Sequence, residues 1–137
     1  MIVVDASAML AILLDEQSGA ALVDVLQGHD SLLAPWLLPY EVANGLLVAE
    51  RAGRRTETFR QAALSALLEC PWSFDGHARA DRLGQCLALA AKHGLSSYDA
   101  AYLELSLRHQ CALLTLDAPL ARAARAAGVA VLPKQAR

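Results

Sequence analysis

Four carboxylates in this chain fall where an open α/β fold gathers its chemistry. Asp5 directly follows the apolar run Ile2-Val3-Val4, and Asp117 follows Ala112-Leu113-Leu114-Thr115-Leu116 in the same way. Glu41 comes just after Leu38-Pro39-Tyr40, and Asp99 just after Leu95-Ser96-Ser97-Tyr98. Functional groups in such folds collect beyond the carboxyl ends of strands, and two of these acids end strand-like segments. Small polar residues accompany them. Thr115 precedes Asp117 by two, so on a strand both project to one side. Asn44 follows Glu41 by three and shares its helix face. Ser7 follows Asp5 by two and can present a hydroxyl at the same strand end. Hydroxyls and an amide beside carboxylates suit hydrogen bonding to acids, to metal-bound water or to phosphate.

A purely structural account competes for each residue. Acids at helix starts are stabilised by capping and the macrodipole, so Asp99 and Asp117, taken singly, fit a cap as well as a catalyst. Ser7 equally suits a helix cap, and Asn44 a polar surface. Asp5 resists that account, because an acid closing a buried strand is costly unless paired. The other ten acids, among them Asp15, Glu16, Asp24 and Glu57, are expected on solvated helix faces or loops. His29, His77, His93 and His109 show no ligand pairing and are expected at surfaces or helix ends.

The elements that must position these groups follow from glycine punctuation and apolar periodicity. Gly28, Gly53, Gly94 and Gly128 each follow an Ala/Leu-rich stretch, as a helix stop should. Helices are predicted over Ala6 to Glu16, Ser18 to Gln27, Pro39 to Ala52, and from a Thr56 cap through Glu69. Further helices are predicted over Ala78 to His93, Tyr98 to His109 and Pro119 to Ala127. Phe59, Ala63, Ala66 and Leu67 recur at helical spacing, as do Leu83, Leu87 and Ala90. Short strands are predicted at Ile2 to Val4, Ser31 to Ala34, Trp72 to Phe74, Ala112 to Leu116 and Val129 to Leu132. Strands alternating with helices, apolar on both faces, imply a parallel sheet covered on both sides.

Composition bounds the rest. The 137 residues suit a single domain, 1–137. With 55% hydrophobic and 19% charged residues, intrinsic disorder is excluded. The 28 Ala and 26 Leu against 8 Val, 2 Ile and 3 Thr exclude an all-β sandwich. Net charge is −2, so no global positive field attracts nucleic acid. Ten of the twelve basic residues are Arg, the better phosphate fork. The densest cluster, Arg51, Arg54 and Arg55, can hold a nucleic-acid backbone or merely complement a helix C-terminus. Cys70, Cys86 and Cys111 lack CxxC spacing and read as small core residues in a reducing cytosol. The longest apolar run, Ala8 to Leu14, is far too short to span a membrane, and Asp5 argues against a signal peptide.

Taken in order, Asp5-Ala6-Ser7 after an N-terminal strand, Pro39-Tyr40-Glu41-Val42-Ala43-Asn44, Ser97-Tyr98-Asp99-Ala100-Ala101-Tyr102 and Leu114-Thr115-Leu116-Asp117 resemble the PIN-domain motifs. Leu120-Ala121-Arg122-Ala123-Ala124 and Gly128-Val129 extend the likeness to nearly the whole chain. The particular resemblance is to the VapC-type toxins of bacterial toxin–antitoxin pairs. It implies a three-layer α/β/α fold around a mainly parallel sheet and a metal-dependent endoribonuclease. Asp5, Glu41, Asp99 and Asp117 match the family's acidic cluster around Mg²⁺ or Mn²⁺, with Ser7, Asn44 and Thr115 at supporting positions. It also implies an RNA substrate, a cognate antitoxin, a homodimer and a cytoplasmic location. Trp36, Leu37, Leu38 and Tyr40 can supply an apolar patch for such partners or simply fill the core. Hard divalent cations want oxygen ligands, which agrees with four carboxylates and no paired His.

Other functions fit less well. A haloacid-dehalogenase-type phosphotransferase needs an acid two residues after the first, where Ser7 stands. A receiver domain needs an acidic pair at the first strand and a late Lys. A non-toxin PIN nuclease of RNA processing remains an alternative, as does a silent PIN-like binding module, which the survival of all four acids disfavours.

Overall fold

The computed structural model describes residues 1–76 and 79–134. His77 therefore lies outside the described residues. Five strands form one sheet: β1 (Ile2–Val4), β2 (Leu32–Pro35), β3 (Trp72–Asp75), β4 (Leu113–Leu114) and β5 (Val131–Leu132). Their order is β3-β2-β1-β4-β5, with every neighbouring pair parallel. Between them lie α1 (Ala6–Leu13), α2 (Gly19–Gln27), α3 (Leu38–Arg51), α4 (Glu57–Glu69), α5 (Ala80–His93), α6 (Ser97–His109) and α7 (Ala118–Ala126).

This order has one reversal. The chain steps outward from β1 to β2 to β3, then crosses back to lay β4 against the other edge of β1. Parallel crossovers are right-handed, so helices of outward and returning steps cover opposite faces. The contacts divide accordingly: α1 packs with α2, α3 and α4, whereas α6 packs with α5 and α7 and lies on β1, β2 and β4. The result is the expected three-layer α/β/α arrangement. Its reversal sits between β1 and β4, the place where open sheets leave a crevice beyond the strand ends.

Local sequence explains the elements. β1 is buried at every residue, as a central strand under two helical layers must be. Thr56 caps α4 as expected, its hydroxyl accepting from the Phe59 N–H at 3.1 Å. Gly94 ends α5 at φ 66°, a left-handed turn that suits a residue without Cβ. Gly45 lets α3 approach α1, because a Cβ there would lie 2.5 Å from Leu10 Cδ1. The later strands are shorter than their apolar runs: Ala112 and Thr115 flank only two residues of β4.

Three expectations need correction. On α5 the buried side is carried by Cys86 and Ala90, while Leu83 and Leu87 stay exposed. Ala66 of α4 is also exposed. The ten remaining acids are not all solvated: Glu104 is 5% exposed, and Asp75 is half-buried beside it. Arg108 explains both. Its Nε donates to Glu104 Oε1 at 2.8 Å, and its Nη2 donates to Glu104 Oε2 at 3.1 Å and to Asp75 Oδ2 at 2.7 Å. Arg82 adds a 3.0 Å bond to Asp75 Oδ1. These links fasten β3, α5 and α6 together.

Glu104→Ala should lower the unfolding free energy by roughly 2 kcal/mol in chemical denaturation. That is less than the ~3–5 kcal/mol for breaking a fully buried pair, because Arg108 keeps Asp75 and some water.

Candidate active site

Asp5 stands at the reversal of the sheet, where β1 hands over to α1. Its N–H donates to the Leu114 carbonyl at 3.1 Å, which continues the β1–β4 ladder one residue past the strand. The carboxylate is only 4% exposed. Oδ1 accepts from the Ser7 hydroxyl at 2.7 Å and from the Ala8 N–H at 3.1 Å, so Asp5 also caps α1. Oδ2 accepts from the Thr115 hydroxyl at 2.7 Å. Burial pushes the Asp5 carboxyl above its ordinary value, these three bonds pull it back in part, and the charge of Asp117 pushes it up again.

Ser7 and Thr115 join the two strand ends. Ser7 Oγ accepts from the Leu116 N–H at 2.9 Å, and Thr115 Oγ1 accepts from the Asp117 N–H at 3.0 Å. Asp117 in turn caps α7, its Oδ1 accepting from the Leu120 N–H at 2.8 Å. Both hydroxyls thus act on one carboxylate and on the loop carrying another.

Glu41 and Asp99 come from the first turns of α3 and α6. Ser96 caps α6 by accepting from the Asp99 N–H at 3.1 Å, and its hydroxyl donates to Asp99 Oδ2 at 3.0 Å. Glu41 Oε1 accepts from the Tyr102 hydroxyl at 2.7 Å. Burial raises the Glu41 carboxyl above its ordinary value, the Tyr102 bond lowers it, and the charges of Asp99 and Asp5 raise it further. Burial first, and then Glu41, Asp5 and Asp99, hold the Tyr102 phenol far above its ordinary value, so it remains a donor. Asp5 feels Asp117, and Glu41 feels both Asp99 and Asp5.

Among the described residues, no ion pair engages any of the four. Nor do three acids there close up into a ready metal cage. An all-oxygen, uncompensated and open acidic set fits a hard divalent ion, since Mg²⁺ keeps several waters and takes one or two carboxylates directly.

The other sequence candidates are distributed less tightly. Asn44 is exposed on α3, one turn beyond Glu41. Arg51 ends the same helix, about 15 Å along the axis from Glu41 at ~1.5 Å per residue. Arg51 and Arg54 are exposed, but Arg55 is engaged: its Nη2 donates to the Leu14 carbonyl at 2.6 Å, and its guanidinium lies 4.9 Å from the centre of the Phe59 ring. It caps α1. Of the patch proposed beside Glu41, Trp36 and Tyr40 are exposed whereas Leu38 is fully buried. Tyr102 carried no role in the sequence reading. Its place three residues after Asp99, on the same helix face, was the available signal.

A parallel sheet with one reversal and an acidic centre at that reversal defines the class, and the sequence matches the PIN domain family over residues 2–126. The chain belongs to that family. It is 37% identical over 124 residues to Ribonuclease VapC3 of Pyrobaculum aerophilum, covering 88% of this chain and 92% of that protein. Among solved structures, PAE2754 of Pyrobaculum aerophilum is similar with a TM-score of 0.74 at 23% identity, covering 96% of this chain and 88% of that one. VapC20 of Mycobacterium tuberculosis, described as a Sarcin-Ricin loop cleaving toxin, has a TM-score of 0.68 at 16% identity, covering 90% of this chain and 95% of its own. These two likenesses concern the fold.

Raised carboxyl pKa values mean that the folded state binds more protons than the unfolded chain. Stability then falls as pH climbs above the ordinary values of 3.8 for Asp5 and 4.5 for Glu41. In chelator, the thermal midpoint should drop as pH climbs through and above those values. Glu41→Gln, which keeps an acceptor for Tyr102, should flatten that drop. A wild-type midpoint that rises over this range would contradict the raised carboxyls. Tyr102→Phe should cost roughly 2 kcal/mol in denaturation at neutral pH, the worth of a hydrogen bond to a charged group.

Proposed function

We propose that this chain is a metal-dependent endoribonuclease acting as the toxin of a type II toxin–antitoxin pair. The observation that supports the reading is that the charge of Asp117 acts on Asp5 and the charges of Asp99 and Asp5 act on Glu41, with no ion pair to any of the four among the described residues. The 37% identity to Ribonuclease VapC3 supports the reaction class. These four carboxylates would hold Mg²⁺ or Mn²⁺. Bound there, the ion supplies an activated water and neutralises charge on the phosphate being cleaved.

The chain's own residues prepare that site. Ser7 and Thr115 lock the orientation of Asp5, and Tyr102 holds one oxygen of Glu41. A carboxylate whose rotamer is locked by donors loses little freedom when it binds a cation. Arg51 and Arg54 face solvent and offer phosphate contacts to RNA leaving along α3, a role from which the Leu14 contact removes Arg55. Exposed Leu87 on α5 supports a homodimer, and exposed Tyr40 beside Glu41 supports a blocking antitoxin. No helix among the described residues is long and apolar enough to cross a membrane. A cytoplasmic location accompanies the RNA substrate in this reading.

The test is incubation of purified protein with total RNA, with and without Mn²⁺ or Mg²⁺, followed by mapping of new ends. Cleavage should need the ion. Thr115→Val should cost about 10- to 100-fold, the usual effect of losing a group that orients a ligand. Asp5→Asn, Asp99→Asn and Asp117→Asn should each cost more than that while melting cooperatively. Full activity in excess chelator, or in Asp5→Asn, would overturn the reading.

A further inference from the structure

Beside the acids, at the carboxyl ends of β2 and β3, lies a cavity of about 310 Å³. Its lining is mostly apolar and aromatic, with Trp36, Leu83 and Tyr98 prominent, and its charged members are Asp75, Arg82 and Glu104. Tyr98 immediately precedes Asp99, and Trp36 sits in the turn that leads into the helix of Glu41. Cavity and acids therefore share the starts of α3 and α6. The cavity thus opens within a few residues of Glu41 and Asp99 along the chain.

Trp36 is the end of a ring stack. Its ring lies 5.3 Å from Phe74 at 22°, and Phe74 lies 5.5 Å from Trp72 at 19°. The far end is anchored, because Trp72 Nε1 donates to the Leu67 carbonyl at 2.8 Å. Of the three rings only Trp36 lines the cavity, and it is 54% exposed; Tyr98 is 64% exposed. A preformed stack that ends on a half-exposed ring is a platform for one more flat ring. Arg82 and Asp75 also line the cavity, bonded to each other at 3.0 Å.

The geometry points to a nucleobase subsite: one unstacked base of a single-stranded RNA stacks on Trp36 with Tyr98 alongside, while its backbone crosses the acids. The subsite rests on the ribonuclease reading and adds to it a substrate class, RNA with a base free to leave its neighbours. A base suits this cavity better than an aliphatic anchor from a protein, because the platform is a flat double ring and charged groups share the lining.

The test uses a fluorescein-labelled RNA hexamer of mixed sequence and an abasic ribose-phosphate hexamer of equal length, with Ca²⁺ to limit turnover. Wild type should bind the base-bearing strand about 5- to 100-fold more tightly, the size of one base–aromatic stack. Trp36→Ala should lose that preference and Trp36→Phe should keep most of it, which separates stacking from a folding defect. In Trp72→Phe, the remaining Trp36 fluorescence should be quenched by the base-bearing strand and not by the abasic one. Equal binding of both strands to wild type would overturn the subsite, and so would a full preference retained by Trp36→Ala. If that variant instead lost only a protein partner, the cavity would belong to the partner. RNA that is bound and cut without base dependence defeats the subsite alone. RNA neither bound nor cut with Mn²⁺ defeats the ribonuclease reading and the subsite together.

Discussion

A carboxylate buried at the reversal of the sheet is the constraint on which the structure turns. Charge in a nonpolar interior is costly unless donors surround it, and Asp5 is surrounded by Ser7, Ala8 and Thr115. Those donors come from both sides of the reversal. Satisfying Asp5 therefore requires β1 and β4 to be neighbours, α1 to start at once, and the loop into α7 to fold back over the strand ends. Had β4 paired at the outer edge of β3, two strands would separate Thr115 from Asp5, which would be left with its local donors only.

The same arrangement gathers helix N-termini. Asp5 and Asp117 cap α1 and α7, while Glu41 and Asp99 occupy the first turns of α3 and α6. Each terminus carries partial positive charge, which tolerates a carboxylate. Four such ends offset part of the burial cost and the repulsion that raise Asp5 and Glu41. Capping and site-building are thus one role here. An acid that caps a helix at the edge of this crevice is also presented to whatever enters it.

The acids were legible in the sequence because each is adjacent to a local signal: an apolar strand before Asp5 and Asp117, a proline or serine start before Glu41 and Asp99. The alternation of strands and helices, the Thr56 cap and the layered fold were legible for the same reason. Contacts between distant segments were not. Tyr102 meets Glu41 across 61 residues, and Arg108 meets Asp75 across 33. Nothing near Glu104 marks it as buried except its place on the apolar side of α6. Arg55 read as part of a basic cluster, yet the sheet's packing brings the end of α1 beneath it. Leu83 and Leu87 keep helical spacing without a core to face, since periodicity alone does not say which side of α5 meets the protein.

Coupling among these four carboxylates is measured most directly by their titration. Carbon-13 carboxyl shifts followed by NMR against pH, in chelator, would report Asp5 and Glu41 individually in wild type, Asp117→Asn and Asp99→Asn. The account predicts that Asp5 titrates above 3.8 and Glu41 above 4.5 in wild type. It further predicts that Asp5 moves down when Asp117 is neutralised and Glu41 moves down when Asp99 is neutralised. Carboxyl groups that titrate at ordinary values, unmoved by either substitution, would contradict it and leave four separate acids at helix starts in place of a site.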